Sequence, residues 1–159
     1  MLIKGIVDED FVNYKVPSMF ISTNTCTFKC DIEYGTHICQ NGELSKQPAI
    51  DIPLRTIIRR YLKNDITHAI VFGGLEPMDQ FVDLYDFVFV LRNDFHCNDP
   101  IVIYTGYTED ELIEKLNVLR SFCNITIKFG RYKPDDRRHF DPVLGVYLAS
   151  DNQYAVQIS

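Results

Sequence analysis

The sequence predicts an α/β fold, an open partial β/α barrel of about five to six parallel strands with flanking helices. Three observations carry that expectation. Short apolar runs rich in β-branched and aromatic residues alternate with segments whose apolar positions recur at helical spacing. Strands separated in this way pair in parallel through right-handed crossovers. The 159 residues are too few for a closed eight-fold barrel, which takes about 250. No repeat, low-complexity stretch or linker interrupts the pattern, so residues 1–159 read as a single domain.

The elements follow in order. Met1 to Asp8 is a strand-like start, and Ser18 to Asn24 is a strand running straight into a cysteine-bearing loop at about 25–40. Asp51-Ile52-Pro53 marks a helix start, with Asp51 as cap and Pro53 at a tolerated early position. Leu54, Ile57, Ile58, Tyr61 and Leu62 then share one helical face. His68 to Phe72 is a buried strand ended by Gly73-Gly74. Phe81, Leu84, Tyr85, Val88 and Leu91 form the next amphipathic helix, and Ile101 to Tyr104 the next strand, closed by Thr105-Gly106-Tyr107. Thr108 and Glu111 make a capping box ahead of Leu112, Ile113, Leu116 and Leu119. Ile125 to Phe129 is a further strand; an irregular charged segment and the apolar run Val143 to Leu148 follow.

Composition narrows the function. An apolar fraction of 46% is ample for one packed core. A net charge of −6 with no basic run argues against a nucleic-acid partner, which calls for phosphate-neutralising residues. No apolar run approaches the ~20 residues of a membrane span, and the N-terminus lacks the pattern of a secretion signal. The expected compartment is the cytoplasm, with thiols reduced. Three of the five cysteines fall within fourteen positions, which in that setting points to a metal or to catalysis before disulfides.

Cys26-Thr27-Phe28-Lys29-Cys30 is followed after eight residues by Cys39. Three thiolates in one loop can wrap an iron–sulfur cube and leave one of its irons without a protein ligand. The same segment also admits a closed zinc tetrahedron of Cys26, Cys30, Cys39 and His37. Gly73-Gly74-Leu75-Glu76-Pro77 follows a buried strand; its paired glycines let backbone approach a ligand, and its carbonyls and Glu76 carboxylate are acceptors suited to an ammonium group. A plain strand-to-helix turn is the other reading of that segment. The cysteine loop, Gly73-Gly74 and Thr105-Gly106 all fall at carboxyl ends of strands, where ligands of parallel sheets collect.

With these residues in view, the sequence resembles the radical S-adenosylmethionine enzymes, whose signature is Cys-xxx-Cys-xx-Cys followed by a Gly-Gly-Glu-Pro-type loop. More narrowly it resembles the activating proteins of anaerobic ribonucleotide reductases. Val71 to Pro77, Val102 to Tyr107 and Ser150 to Gln153 all carry the likeness in order, so that it spans about Phe20 to Ser159. The resemblance implies a radical-SAM-like partial barrel and a [4Fe–4S] cluster on Cys26, Cys30 and Cys39. S-adenosylmethionine is then chelated to the fourth iron, with Gly73, Gly74 and Glu76 at its methionine end. Thr105 and Gly106 lie near its ribose and adenine, and Asn152 and Gln153 complete the pocket. It further implies reductive cleavage to a 5′-deoxyadenosyl radical that takes hydrogen from a glycine Cα. The implied partners are a large glycyl-radical enzyme (an anaerobic ribonucleotide reductase) and reduced flavodoxin or a similar electron donor, without nucleic acid or membrane.

One departure from the family pattern stands out. Glu33 occupies the place of the third cysteine, and an insertion of six residues, Asp31 to Thr36, restores that cysteine as Cys39. A longer loop costs little in closure entropy. Glu33 as an oxygen ligand is the alternative. Cys97 and Cys123 read as structural thiols, and His68 and His139 as structural or exposed. Asp135 to Arg138 read as a solvated loop, with a docking surface as the second reading. Two rival functions remain open: a radical enzyme acting on another substrate, and a zinc-stabilised interaction module without catalysis.

Overall fold

The computed structural model describes residues 1–159. Its main sheet has seven strands: β1 (Leu2–Asp10), β2 (Ser18–Thr23), β3 (Ile50–Asp51), β4 (Ile70–Gly74), β5 (Ile101–Tyr104), β6 (Ile125–Phe129) and β9 (Tyr154–Gln157). They lie in the order β3-β1-β2-β4-β5-β6-β9. The central β2, β4, β5 and β6 run parallel, with Ile21 opposite Phe72 and Phe72 opposite Ile103. The flanking strands are antiparallel, β1 to β2 and β3, and β9 to β6. A separate hairpin joins β7 (His139–Asp141) to β8 (Val146–Leu148).

Four parallel strands stand where five or six were expected, and the connections give the reason. A parallel return needs a crossover segment, usually a helix. Helices α3 (Leu54–Leu62), α4 (Phe81–Asn93) and α5 (Ile113–Leu119) precede β4, β5 and β6 respectively. No helix separates β1 from β2 or β6 from β9, and both pairs are antiparallel. The Val143 to Leu148 run supplies β8 of the hairpin, not another strand of the main sheet.

Strand periodicity sorts the core into two faces. Ile70 and Phe72, Ile101 and Ile103, and Ile125, Ile127 and Phe129 meet Ile57, Ile58 and Tyr61 of α3, Leu84, Phe87, Val88 and Leu91 of α4, and Leu116 and Leu119 of α5. Phe72 and Phe87 pack edge to face with centroids 5.1 Å apart. Val71 and Val102 point the other way, toward Tyr14, Leu144, Leu148 and Ala155. The three long helices thus cover one face. The loop after β1 and the β7–β8 hairpin partly cover the other.

Two local expectations are corrected. Asp51 does not cap α3: it lies in β3 opposite Leu2, and its carboxylate accepts from the Met1 ammonium at 3.3 Å. Pro53 occupies the cap position itself. The Thr108–Glu111 box is half formed. The Thr108 N–H donates to Glu111 Oε2 at 2.9 Å, but a 3-10 turn at Asp110–Leu112 comes before α5. No helix is long and apolar enough to cross a membrane.

Because Phe87 is fully enclosed while Val82, on the same helix, is 73% exposed, Phe87→Ala is expected to lower anaerobic unfolding free energy by about 3–5 kcal/mol. Val82→Ala should change it by no more than about 0.5 kcal/mol. Urea titration followed by far-ultraviolet circular dichroism checks both.

Candidate metal centre

The site is built where β2, β4 and β5 end. Beyond β2 the chain is pinned to the loop after β4. The Thr23 hydroxyl donates to Gly73 O, the Asn24 N–H to Gln80 Oε1 at 2.9 Å, and the Thr27 N–H to Asp79 Oδ2 at 2.7 Å. In the reverse direction, the Glu76 N–H donates to Thr25 O at 2.8 Å. Cys26 sits inside this pinned stretch, its sulfur accepting the Phe28 N–H at 3.2 Å. Phe28 is left-handed (φ 54°), a strained conformation for an aromatic residue, and it turns the chain into α1 (Lys29–Tyr34), which carries Cys30. Cys39 follows before α2 (Gly42–Lys46), held by the Asp31 carboxylate, which accepts the Cys39 N–H at 2.8 Å.

All three thiols line one cavity of about 970 Å³, together with Gly74, Glu76, Thr105, Gly106 and Gln153. Eight of the ten residues singled out from the sequence therefore meet at one place. Gly73 and Asn152 do not line it. A Cβ on Gly73 would come within 2.9 Å of the Phe20 ring, so its smallness serves strand packing. Asn152 donates from Nδ2 to Arg131 O at 2.9 Å, tying two loops together. Gln153 is committed at both ends of its amide, accepting the Ala149 N–H and donating to Gly130 O.

Glu76 is 7% exposed. Its Oε1 accepts from Thr105 Oγ1 at 2.7 Å and from the Met78 N–H at 3.0 Å, and its Oε2 accepts the Gly106 N–H at 2.8 Å. Burial raises its affinity for a proton, while the three donors pull against that rise. Lys128, a residue the sequence reading passed over, lines the same cavity. It is 7% exposed, with Nζ donating to Gly130 O at 3.0 Å. Burial lowers its pKa to about 8, and the Glu76 charge opposes that fall. The visible signal was a lysine inside the otherwise buried strand Ile125–Phe129.

A basic layer adjoins Cys26 and Cys30. Lys29 lies over the Tyr107 ring at 4.5 Å, and the Arg131 guanidinium approaches the same ring at 5.6 Å. Glu111 bridges them, bidentate to Arg131 at 2.7 and 2.9 Å and bonded to Lys29 at 3.2 Å. The Arg131 hydrogen bonds hold its carboxyl down at about 2. Glu33, the alternative oxygen ligand, turns outward. It is absent from the cavity wall, and its Oε1 lies 3.1 Å from Arg131 Nε in a charge contact too bent for a hydrogen bond. His37, the fourth ligand of the zinc alternative, also stays off the cavity wall and pairs with Asp31.

The three thiols suit a cluster better than a single ion. No three His, Cys, Asp or Glu side chains converge closely enough to hold one ion, whereas a cube of irons and sulfides spreads its thiolates over a wider space. Burial pushes the Cys26 thiol up to about 12 and raises Cys39 as well. A bound metal reverses this, because a coordinating thiol is deprotonated outright.

An α/β sheet whose strand ends surround a cavity with three thiols on one wall is the frame of an iron–sulfur protein. Residues 17–153 match the model of the 4Fe-4S single cluster domain, and the chain belongs to that family. No curated protein and no solved structure matches it.

Reconstitution without oxygen is expected to load about four irons and four sulfides per chain, as the family description requires. Ala at Cys26, Cys30 or Cys39 should abolish that loading. Ala at Cys97, Cys123 or Glu33 should leave it intact, with iron and sulfide analysis as the readout.

Proposed function

We propose that the protein is a radical S-adenosylmethionine enzyme that activates an anaerobic ribonucleoside-triphosphate reductase by placing a glycyl radical on it. The observation that carries this reading is that Glu76 and Lys128, both buried, line the same cavity as the three thiols. A zwitterionic amino acid presents an ammonium and a carboxylate together, and this pair offers each its opposite charge. Glu76 has acceptor capacity left after its three bonds, and Lys128 uses only one of its three donors within the fold. An acidic and a basic group buried in one cavity cost desolvation that a bound counterpart offsets.

The residues divide the work. Cys26, Cys30 and Cys39 would hold the cluster, and the cavity beside them would take the amino acid end of the cosubstrate. Glu76 and Lys128 orient that end. Thr105 fixes the Glu76 carboxylate, and Gly106, where an added Cβ would lie 3.7 Å from Cys30 Sγ, keeps the wall thin beside the thiol. The chemistry a bound, reduced [4Fe–4S] cluster supplies is one electron to the sulfonium, giving methionine and a 5′-deoxyadenosyl radical that takes hydrogen from a glycine Cα of the partner. The electron comes from reduced flavodoxin or a similar donor. A partially curled sheet with its helices outside is the shape this reading uses, and the one-sided placement of α3, α4 and α5 supports it.

The partner approaches over the rim formed by Phe11, Val12 and Tyr147, which line the cavity mouth and are 64%, 74% and 65% exposed. Of the charged segment, Arg138 reaches the cavity, while Asp135 accepts from the Tyr34 hydroxyl.

Gly74 is a poor probe of the site: at φ 78° an added Cβ would meet Ser22 and Leu44 at 3.0 Å, so any substitution strains the loop itself. Lys128→Met is the cleaner variant. Dithionite-reduced protein should convert S-adenosylmethionine to methionine and 5′-deoxyadenosine. Lys128→Met should keep its iron and bind the cosubstrate at least about tenfold more weakly, the scale of a lost charged hydrogen bond. With the cognate reductase, an electron paramagnetic resonance doublet should appear and vanish when the partner's radical glycine becomes alanine. Iron-replete protein that never cleaves S-adenosylmethionine contradicts the reading. Cleavage with no radical on any reductase leaves the activase assignment false and favours a small substrate.

A further inference from the structure

The inserted residues Asp31 to Thr36 separate Cys30 from Cys39 by eight positions, and unrestrained they would leave the third thiol on a wandering loop. They are mostly exposed and bury no apolar side chain, so core packing does not fix them. What ties the far end of the segment back to Cys30 is one side chain. Asp31 Oδ1 accepts both the Ile38 N–H at 2.9 Å and the Cys39 N–H at 2.8 Å, and Oδ2 lies 2.5 Å from His37 Nδ1. The carboxylate follows Cys30 directly in the chain and bonds the amide of Cys39 itself. The Asp31 side chain is 17% exposed, sheltered from water that would compete for those amides. Gly35, left-handed at φ 77°, ends α1 with its N–H on Asp31 O and turns the chain back toward this carboxylate.

We infer that Asp31 is the positioning residue that compensates for the inserted turn, clamping Cys39 beside Cys30 so that an eight-residue gap serves as a cluster-ligand spacing. The inference rests on Cys39 being the third ligand. Short side-chain acceptors satisfying nearby amides are a common means of fixing a loop without secondary structure, and an ionised acceptor makes those bonds stronger than neutral ones. Residues that orient metal ligands commonly change metal affinity by about 10- to 100-fold when removed. Glu33, on the outer side of the same turn, touches only Arg131 and steadies the turn from outside.

The test uses the full chain and the variants Asp31→Ala, Asp31→Asn and Cys39→Ala. In cluster-free protein, amide hydrogen exchange at Ile38 and Cys39 should speed up by at least about tenfold in Asp31→Ala, with the amides of Ile70 to Phe72 unchanged. In reconstituted protein, Asp31→Ala should lose iron to a chelator at least about tenfold faster than wild type. Asp31→Asn, whose Oδ1 still accepts both amides, should recover most of both effects. If Asp31→Ala fails to fold, as judged by the Ile70 to Phe72 amides, Asp31→Ser replaces it, being too short to reach both amides. Wild-type exchange and wild-type iron retention in the Ala or Ser variant overturn the inference. A full cluster in Cys39→Ala instead overturns the ligand reading, a result the exchange data do not depend on.

Discussion

Buried Glu76, through its backbone N–H and its carboxylate together, joins three chain segments that sequence holds far apart. Its own N–H reaches back to Thr25 in the cysteine loop, while its oxygens take the Met78 N–H, the Thr105 hydroxyl and the Gly106 N–H. The ends of β2, β4 and β5 are thus locked around one residue. An unpaired carboxylate in such a place would be prohibitive, so these donors are a condition of the fold as much as a feature of the site. Around this point the thiols and Lys128 line one cavity. The glycines at positions 74 and 106 keep the space between them open.

The cysteine loop depends on that anchor at its start and on its own polar contacts further along. Asp79 receives the Thr27 N–H and the Tyr107 hydroxyl, so the loop and the end of β5 share a second carboxylate. Lys29, Tyr107, Arg131 and Glu111 then form a stack beside Cys26 and Cys30 in which both cations are paired with Glu111 and Arg131 also with Glu33.

Much of this was legible in the sequence, and the legible part has a common character. Cys26, Cys30, Cys39, Gly74, Glu76, Thr105 and Gly106 belong to short motifs at strand ends, and the strand-helix alternation alone brings such ends together. The apolar faces of α3 and α4 were readable from helical spacing for the same local reason. What escaped was set by pairing over long separations. The antiparallel edges at β1 and β9 follow from missing crossover helices, and the hairpin of β7 and β8 interposes itself where one more parallel strand was expected. Lys128 looked like an ordinary strand residue because the cavity it lines is built mostly by other elements. Asp51 looked like a cap until β3 was found to pair with the N-terminus. Glu33 and His37 lie off the cavity wall because the inserted turn points them toward Arg131 and Asp31.

The central claim is that one iron, left free by three thiolates, faces a pocket built for an amino acid. Electron–nuclear double resonance of the reduced cluster with S-adenosylmethionine labelled with nitrogen-15 at the amino group and oxygen-17 at the carboxylate tests it most directly. The account predicts that both labelled atoms couple to the cluster as direct ligands of one iron, and that the coupling weakens or disappears in Lys128→Met. A four-iron cluster that shows no coupling to either label, under conditions where the cosubstrate is bound, would contradict it.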